Sequence, residues 1–195
     1  MMKRIFTLIL SILLMCFFVA CENGENQGDG GTDIAGDASQ SIVVYFSGTG
    51  NTKQVAETMA AALGTKTLEI VPKEPYTEAD LNYNDDGCRA NREMQDDHAR
   101  PGIDGDLSEV SEYETIYLGY PIWWGTAPRI IQTFMESYDL SGKTVYTFCT
   151  SGGSGIDQSV SDLKDAYQEV NIAGGHRFSR NDTQETIQEW LDSLK

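Results

Sequence analysis

Basic residues are scarce in this sequence: 14 lysines and arginines stand against 30 aspartates and glutamates, a formal net charge of −16. A field of that sign argues against a nucleic-acid partner, whose phosphates call for cationic surface, and favours solubility and cationic partners. Histidine is scarcer still. His98 and His176 lie far apart, and each reads as a surface or ordinary structural residue rather than a general base. The four cysteines form no CxxC, and with no HExxH and no Cys/His cluster the sequence offers no ligand set for a structural or catalytic metal. No internal repeat is visible.

A long hydrophobic run is also missing. Ile5 to Val19 is almost wholly apolar but shorter than the ~20 residues a membrane-spanning helix needs. It follows the basic Lys3 and Arg4 and ends in small residues, the layout of a signal peptide over residues 1–20. Phe18-Val19-Ala20-Cys21 resembles a bacterial lipobox, with Phe18 where leucine is usual, so Cys21 is the expected lipidation site and the membrane an expected partner through that anchor. Residues 21–40 are rich in Gly, Asp, Asn and Gln and read as a flexible tether. The folded domain is expected over 41–195, outside the cytoplasm in the cell envelope. Losing Lys3 and Arg4 leaves 12 basic residues against 30 acidic ones, a charge of −18. Cys88 and Cys149 are the cysteines left in the domain, and they read as two unpaired thiols.

Within the domain, apolar runs alternate with amphipathic stretches. Ile42 to Phe46 is a continuous apolar strand, as expected where both faces of a sheet are covered. Val55, Met59 and Leu63 recur at helical spacing before the capping Gly64. Strands are expected at Thr67–Val71, Thr115–Tyr120, Lys143–Cys149 and near Val170–Ala173. Helices are expected from Pro128, through Ile156, Val160, Leu163 and Tyr167, and behind a capping box of Asp182 and Glu185. The irregular, polar 72–114 segment has room for one surface helix over Asp85–Arg100. Five strands alternating with helices predict an α/β fold with an open parallel sheet and helices on both faces, binding ligand at the carboxyl ends of the strands.

Three of the loops at those ends are unusual. The first, Ser47-Gly48-Thr49-Gly50-Asn51-Thr52, has the first two glycines of a GxGxxG fingerprint, and Glu69 lies where an acidic ribose contact belongs, but Lys53 replaces the third glycine. A Walker A motif is absent. The loop instead suits a single phosphate: it precedes a helix N-terminus and adds hydroxyl and amide donors to the free backbone N–H groups. The second, Pro121-Ile122-Trp123-Trp124-Gly125-Thr126, carries adjacent tryptophans, which either pack into the core beneath the loop or line a site. The third, Cys149-Thr150-Ser151-Gly152-Gly153, is built of small residues that leave the backbone open to close approach, or is a plain turn.

The pattern Ser47-x-Thr49-Gly50-x-Thr52 matches the phosphate-loop fingerprint of the flavodoxins, and the chain resembles the branch of that family with a PIWWGT-type loop. The resemblance covers 41–195 in order of elements. It implies sheet order 2-1-3-4-5 and FMN as cofactor, with Trp124 on one face of the isoalloxazine, the Gly125–Thr126 backbone near N5, and the third loop at the pyrimidine carbonyls. Many flavodoxins place an aromatic in the third loop; here there is none, leaving the second face open or covered by Tyr76 or Tyr83. The expected function is electron transfer outside the cytoplasm with a redox partner protein or a small electron acceptor. The alternatives are an FMN-dependent reductase of quinones or nitro compounds, and a non-redox module holding another phosphate ligand.

Overall fold

Ser41–Tyr45 forms β1, with every residue buried and side chains alternating between two cores: Ile42, Val44 and Phe46 enter one, Val43 and Tyr45 the other. A strand clad on both faces has no need of a polar alternation, which is why it reads as one apolar run. The computed structural model describes residues 40–179 and 181–195; the expected signal peptide, the Cys21 lipidation site and nearly all of the tether lie outside the described residues.

β1 lies between β2 (Thr67–Glu69) and β5 (Thr115–Pro121), followed by β6 (Thr144–Thr150) and β7 (Asn171–Phe178), all parallel in the order β2-β1-β5-β6-β7. With β3 (Val71–Pro72) and β4 (Ile103–Asp104) set aside as a separate antiparallel pair, this is the expected order 2-1-3-4-5. On one face, α1 (Asn51–Leu63) and α5 (Gln184–Ser193) cover Val43, Tyr45, Tyr117, Phe148 and Phe178. On the other, α3 (Arg129–Ser137) and α4 (Asp157–Ala166) pack with Leu107 and Val110 of the long segment. On the α1/α5 face, Gly119 of β5 leaves room for the Phe148 ring, since a Cβ there would lie 2.1 Å from it.

Several boundaries differ from expectation. The strand expected over Thr67–Val71 splits: β2 stops at Glu69, and Val71–Pro72 turns away to pair with β4, because Pro72 has no N–H to continue the ladder. β7 runs on to Phe178, through a register shift opposite Val145 and Tyr146 that the glycines Gly174 and Gly175 conceal in the sequence. The N-cap of α5 is Thr183, whose hydroxyl accepts from the Thr186 N–H at 3.4 Å, and the expected Asp182–Glu185 box does not form. The Asp182 carboxylate instead binds the N–H and hydroxyl of Ser179. The long segment contributes α2 (Arg89–Gln95), shorter than the expected Asp85–Arg100 helix and turned with Ala90, Asn91 and Met94 inward while Arg92 and Gln95 stay exposed. Gly64 ends α1 at φ 66° as expected, its N–H capping Ala60 and Ala61.

Candidate functional site

The three loops meet at the carboxyl ends of β1, β5 and β6. In the first, the Ser47 hydroxyl accepts from the Gly50 N–H at 3.0 Å, and Gly50 enters α1 at φ 87°. α1 has no side-chain cap, and the N–H groups of Gly48, Thr49, Asn51 and Thr52 have no partner among the described residues. Four donors at a helix start, where the dipole favours an anion, make a charge-free anion cradle. The Asn51 amide donates to the Thr49 hydroxyl at 3.1 Å, while the Thr52 hydroxyl is buried against that of Thr150. Lys53 lies outside the cradle, paired with Glu69 at 3.1 Å. Tyr45 donates to the same carboxylate at 2.9 Å, so Glu69 is already engaged, and burial with that hydrogen bond raises the Tyr45 phenol well above its ordinary range.

In the second loop, Trp123 and Thr126 exchange two backbone hydrogen bonds of 3.0 Å across Trp124 at φ 51° and Gly125 at φ 83°. Two successive left-handed residues define a type I′ turn, and a tryptophan in that conformation is uncommon. Trp123 lies edge-on to Phe46 and Tyr76, with ring centroids at 5.6 and 5.3 Å, so one of the two tryptophans does pack onto the core while still bordering the site. Trp124 stands 62% exposed, its indole N–H donating to Asn91 Oδ1 at 2.8 Å. The Thr126 hydroxyl ties the turn to Asp162 of α4 at 2.6 Å.

In the third loop, the Ser151 N–H donates to the Phe178 carbonyl of β7 at 3.4 Å, the Gly153 N–H donates to the Ser151 hydroxyl at 3.2 Å, and Arg177 Nη1 donates to the Ser151 carbonyl at 3.2 Å. A Cβ at Gly152 or Gly153 would meet nothing within 4 Å, so the protein's own packing does not require glycine there. Cys149, beneath the loop, is fully buried, and burial pushes its thiol up to about 12; together with Cys88 it is a free thiol, so the expected unpaired cysteines are found. The Cys88 Sγ caps α2 by accepting from the Asn91 N–H. His176 packs against Phe178 and Trp190, and burial lowers its pKa.

These loops enclose a cleft of about 780 Å³, within the roughly 300–1,000 Å³ of small-molecule sites. Gly48, Thr49, Pro121, Ile122, Trp123, Trp124 and Thr150 to Gly153 border it, joined by Leu81, Tyr83, Ala90, Asn91 and Ser154. Of the residues expected at the site, Ser47, Gly50, Asn51, Thr52, Gly125, Thr126 and Cys149 do not line the cleft themselves: the first four continue the first loop into α1, Gly125 and Thr126 belong to the Trp123–Thr126 turn, and Cys149 is buried at the end of β6. Leu81, Ala90 and Asn91 carry no motif; only the folding back of the 72–114 segment brings them to the cleft. Of the two tyrosines named for the second ring face, Tyr76 is committed elsewhere, its ring on Phe46 and Trp123 and its hydroxyl on Glu93, while Tyr83 borders the cleft.

Residues 40–194 match the flavodoxin family model. The chain belongs to the flavodoxin family. A candidate flavoprotein from Bacteroides eggerthii is 42% identical over 80% of this chain and 98% of its own, with a TM-score of 0.76, and one from Bacteroides uniformis is 41% identical over 79% and 98%, also at 0.76. A Lactobacillus acidophilus flavoprotein solved in complex with FMN shares the flavodoxin fold at 24% identity, covering 78% of this chain and 99% of that one, with a TM-score of 0.58. No match was found among curated proteins.

Proposed function

We propose that this flavodoxin-family chain binds FMN in the three-loop cleft and carries electrons outside the cytoplasm. The observation that carries the reading is the convergence on one cleft of unpaired helix-start N–H groups, a glycine loop that packing does not require, and an exposed indole held by a hydrogen bond. The FMN complex of the Lactobacillus relative supports the choice of flavin.

The residues present fit FMN. The N–H groups of Gly48, Thr49, Asn51 and Thr52 would donate to the phosphate, Trp124 would cover ring surface, and the third loop would meet the ring edge through the Gly152 N–H, since those of Ser151 and Gly153 are bonded to the Phe178 carbonyl and the Ser151 hydroxyl. Bound FMN supplies one- and two-electron redox chemistry. The protein's part is positional and electrostatic: Asn91 fixes the Trp124 indole, Thr126 anchors the turn to Asp162, and the acidic surface opposes added negative charge at the site. Lipidation at Cys21 would hold the domain at the envelope, a reading that rests on Phe18–Cys21.

A visible spectrum of the purified full chain, with mass spectrometry of the released ligand, tests the reading; a colourless protein that does not take up added FMN overturns it. Steady-state turnover with NAD(P)H and a quinone separates carrier from reductase, and almost no turnover is expected.

A further inference from the structure

Val71, Tyr83 and Trp124 are the large hydrophobic side chains that stand exposed among the described residues, and two of them, Tyr83 at 75% and Trp124 at 62%, border the same cleft. They come from different parts of the chain, the 72–114 segment and the second loop, and one side chain joins them. Asn91 is fully buried. Its Oδ1 accepts the Trp124 indole N–H at 2.8 Å, and its Nδ2 donates to the carbonyls of Tyr83 at 3.2 Å and Asp85 at 2.8 Å. All three of these bonds go to the segments that carry the two rings, so the amide sets where the backbone of Tyr83 lies relative to the Trp124 indole.

Aromatic surface left in water at a cleft forgoes burial that packing would supply, and its natural complement is a flat aromatic ring. The third loop, Thr150–Gly155, offers no ring of its own. Tyr76 cannot serve, being packed on Phe46 and Trp123 with Arg89 stacked over it at 4.1 Å. Resting on the FMN reading above, we propose that Tyr83 supplies a second aromatic wall for the isoalloxazine and that Asn91 is the positioning residue that sets this wall relative to Trp124. The 72–114 segment is thus part of the cofactor site, and Tyr83 contributes through its ring rather than its hydroxyl.

FMN titration of the full chain tests this. Tyr83→Leu is expected to weaken FMN binding roughly five- to tenfold and to raise the emission of the bound flavin, as loss of one stacking contact implies, while Tyr83→Phe stays near the parent protein. Asn91→Ala is expected to weaken FMN binding in the parent and by a smaller factor when Tyr83 is already leucine, whereas its effect on the unfolding midpoint is the same in both backgrounds. Because Asn91→Ala strips a buried hydrogen-bonding group, the exposed Tyr83→Leu change carries the test on its own. Parent-like affinity and emission in Tyr83→Leu overturn the second wall while leaving FMN binding intact. A parent protein that takes up no FMN overturns both.

Discussion

Thr52 Oγ1 and Thr150 Oγ1 lie 2.7 Å apart, buried, joining the start of α1 to the end of β6 across 98 positions of sequence. The pair ties the first loop of the candidate site to the third through the protein's own side chains. Thr52→Val keeps the shape but strands a buried hydroxyl, and is expected to lower stability by about 1–3 kcal/mol in urea unfolding. The double change to valine at both positions should recover most of that, because no unpaired hydroxyl remains.

The cradle is neutral, so its donors outrank the nearby lysine. Thr49→Glu sets a carboxylate where an anion is favoured and is expected to raise the FMN dissociation constant by at least about tenfold. Lys53→Gln removes a charge already paired with Glu69 at the surface and should change it by no more than about twofold. Isothermal titration gives the ranking, and the reverse order would refute the cradle.

Gly125 sits at φ 83° with open space where a Cβ would go, so the cost of Gly125→Ala is backbone strain alone. The expected loss is roughly 1–2 kcal/mol of stability in thermal or urea unfolding, with a measurable change in the flavin midpoint potential because the turn loses conformational freedom.

Burial raises the Cys149 thiol from 9.0 to about 12, so the folded state keeps the proton longer than the unfolded chain does. The unfolded state then binds fewer protons above pH 9.0, and stability falls as pH rises from there toward 12; below pH 9.0 the contribution is fully present. Cys149→Ala should flatten that alkaline decline. Iodoacetamide at pH 8 should leave Cys149 unmodified in the native protein and alkylate it in urea.

Excess negative charge on the protein disfavours further negative charge at the flavin. The second-electron potential is expected below that of free FMN and should rise with ionic strength as the field is screened. Potentiometry at two salt concentrations reads both.

Much of the fold was legible because local patterns carry it. The apolar run Ile42–Phe46, the spacing of Val55, Met59 and Leu63, and Gly64 each report a buried strand, an amphipathic face or a left-handed cap through neighbours in sequence. Where the reading slipped, a neighbour was misleading. Gly174 and Gly175 hid the second half of β7 behind a register shift, and Asp182 offered a capping carboxylate that Ser179 takes. The three loops of the site were legible by composition, since glycines, hydroxyls and paired tryptophans are seldom gathered at strand ends without a ligand.

The sequence by itself determined the alternation of strands and helices and the glycines and hydroxyls gathered ahead of α1, because each depends on residue type and short-range spacing; the sheet order was implied by family resemblance alone. Only the tertiary structure decided which tryptophan packs and which stands free, that Tyr76 is spent on Glu93 while Tyr83 faces the cleft, and that Asn91 joins Tyr83 to Trp124. Those choices rest on contacts between segments tens of residues apart. An asparagine in a polar stretch carries no local mark of the indole it will hold.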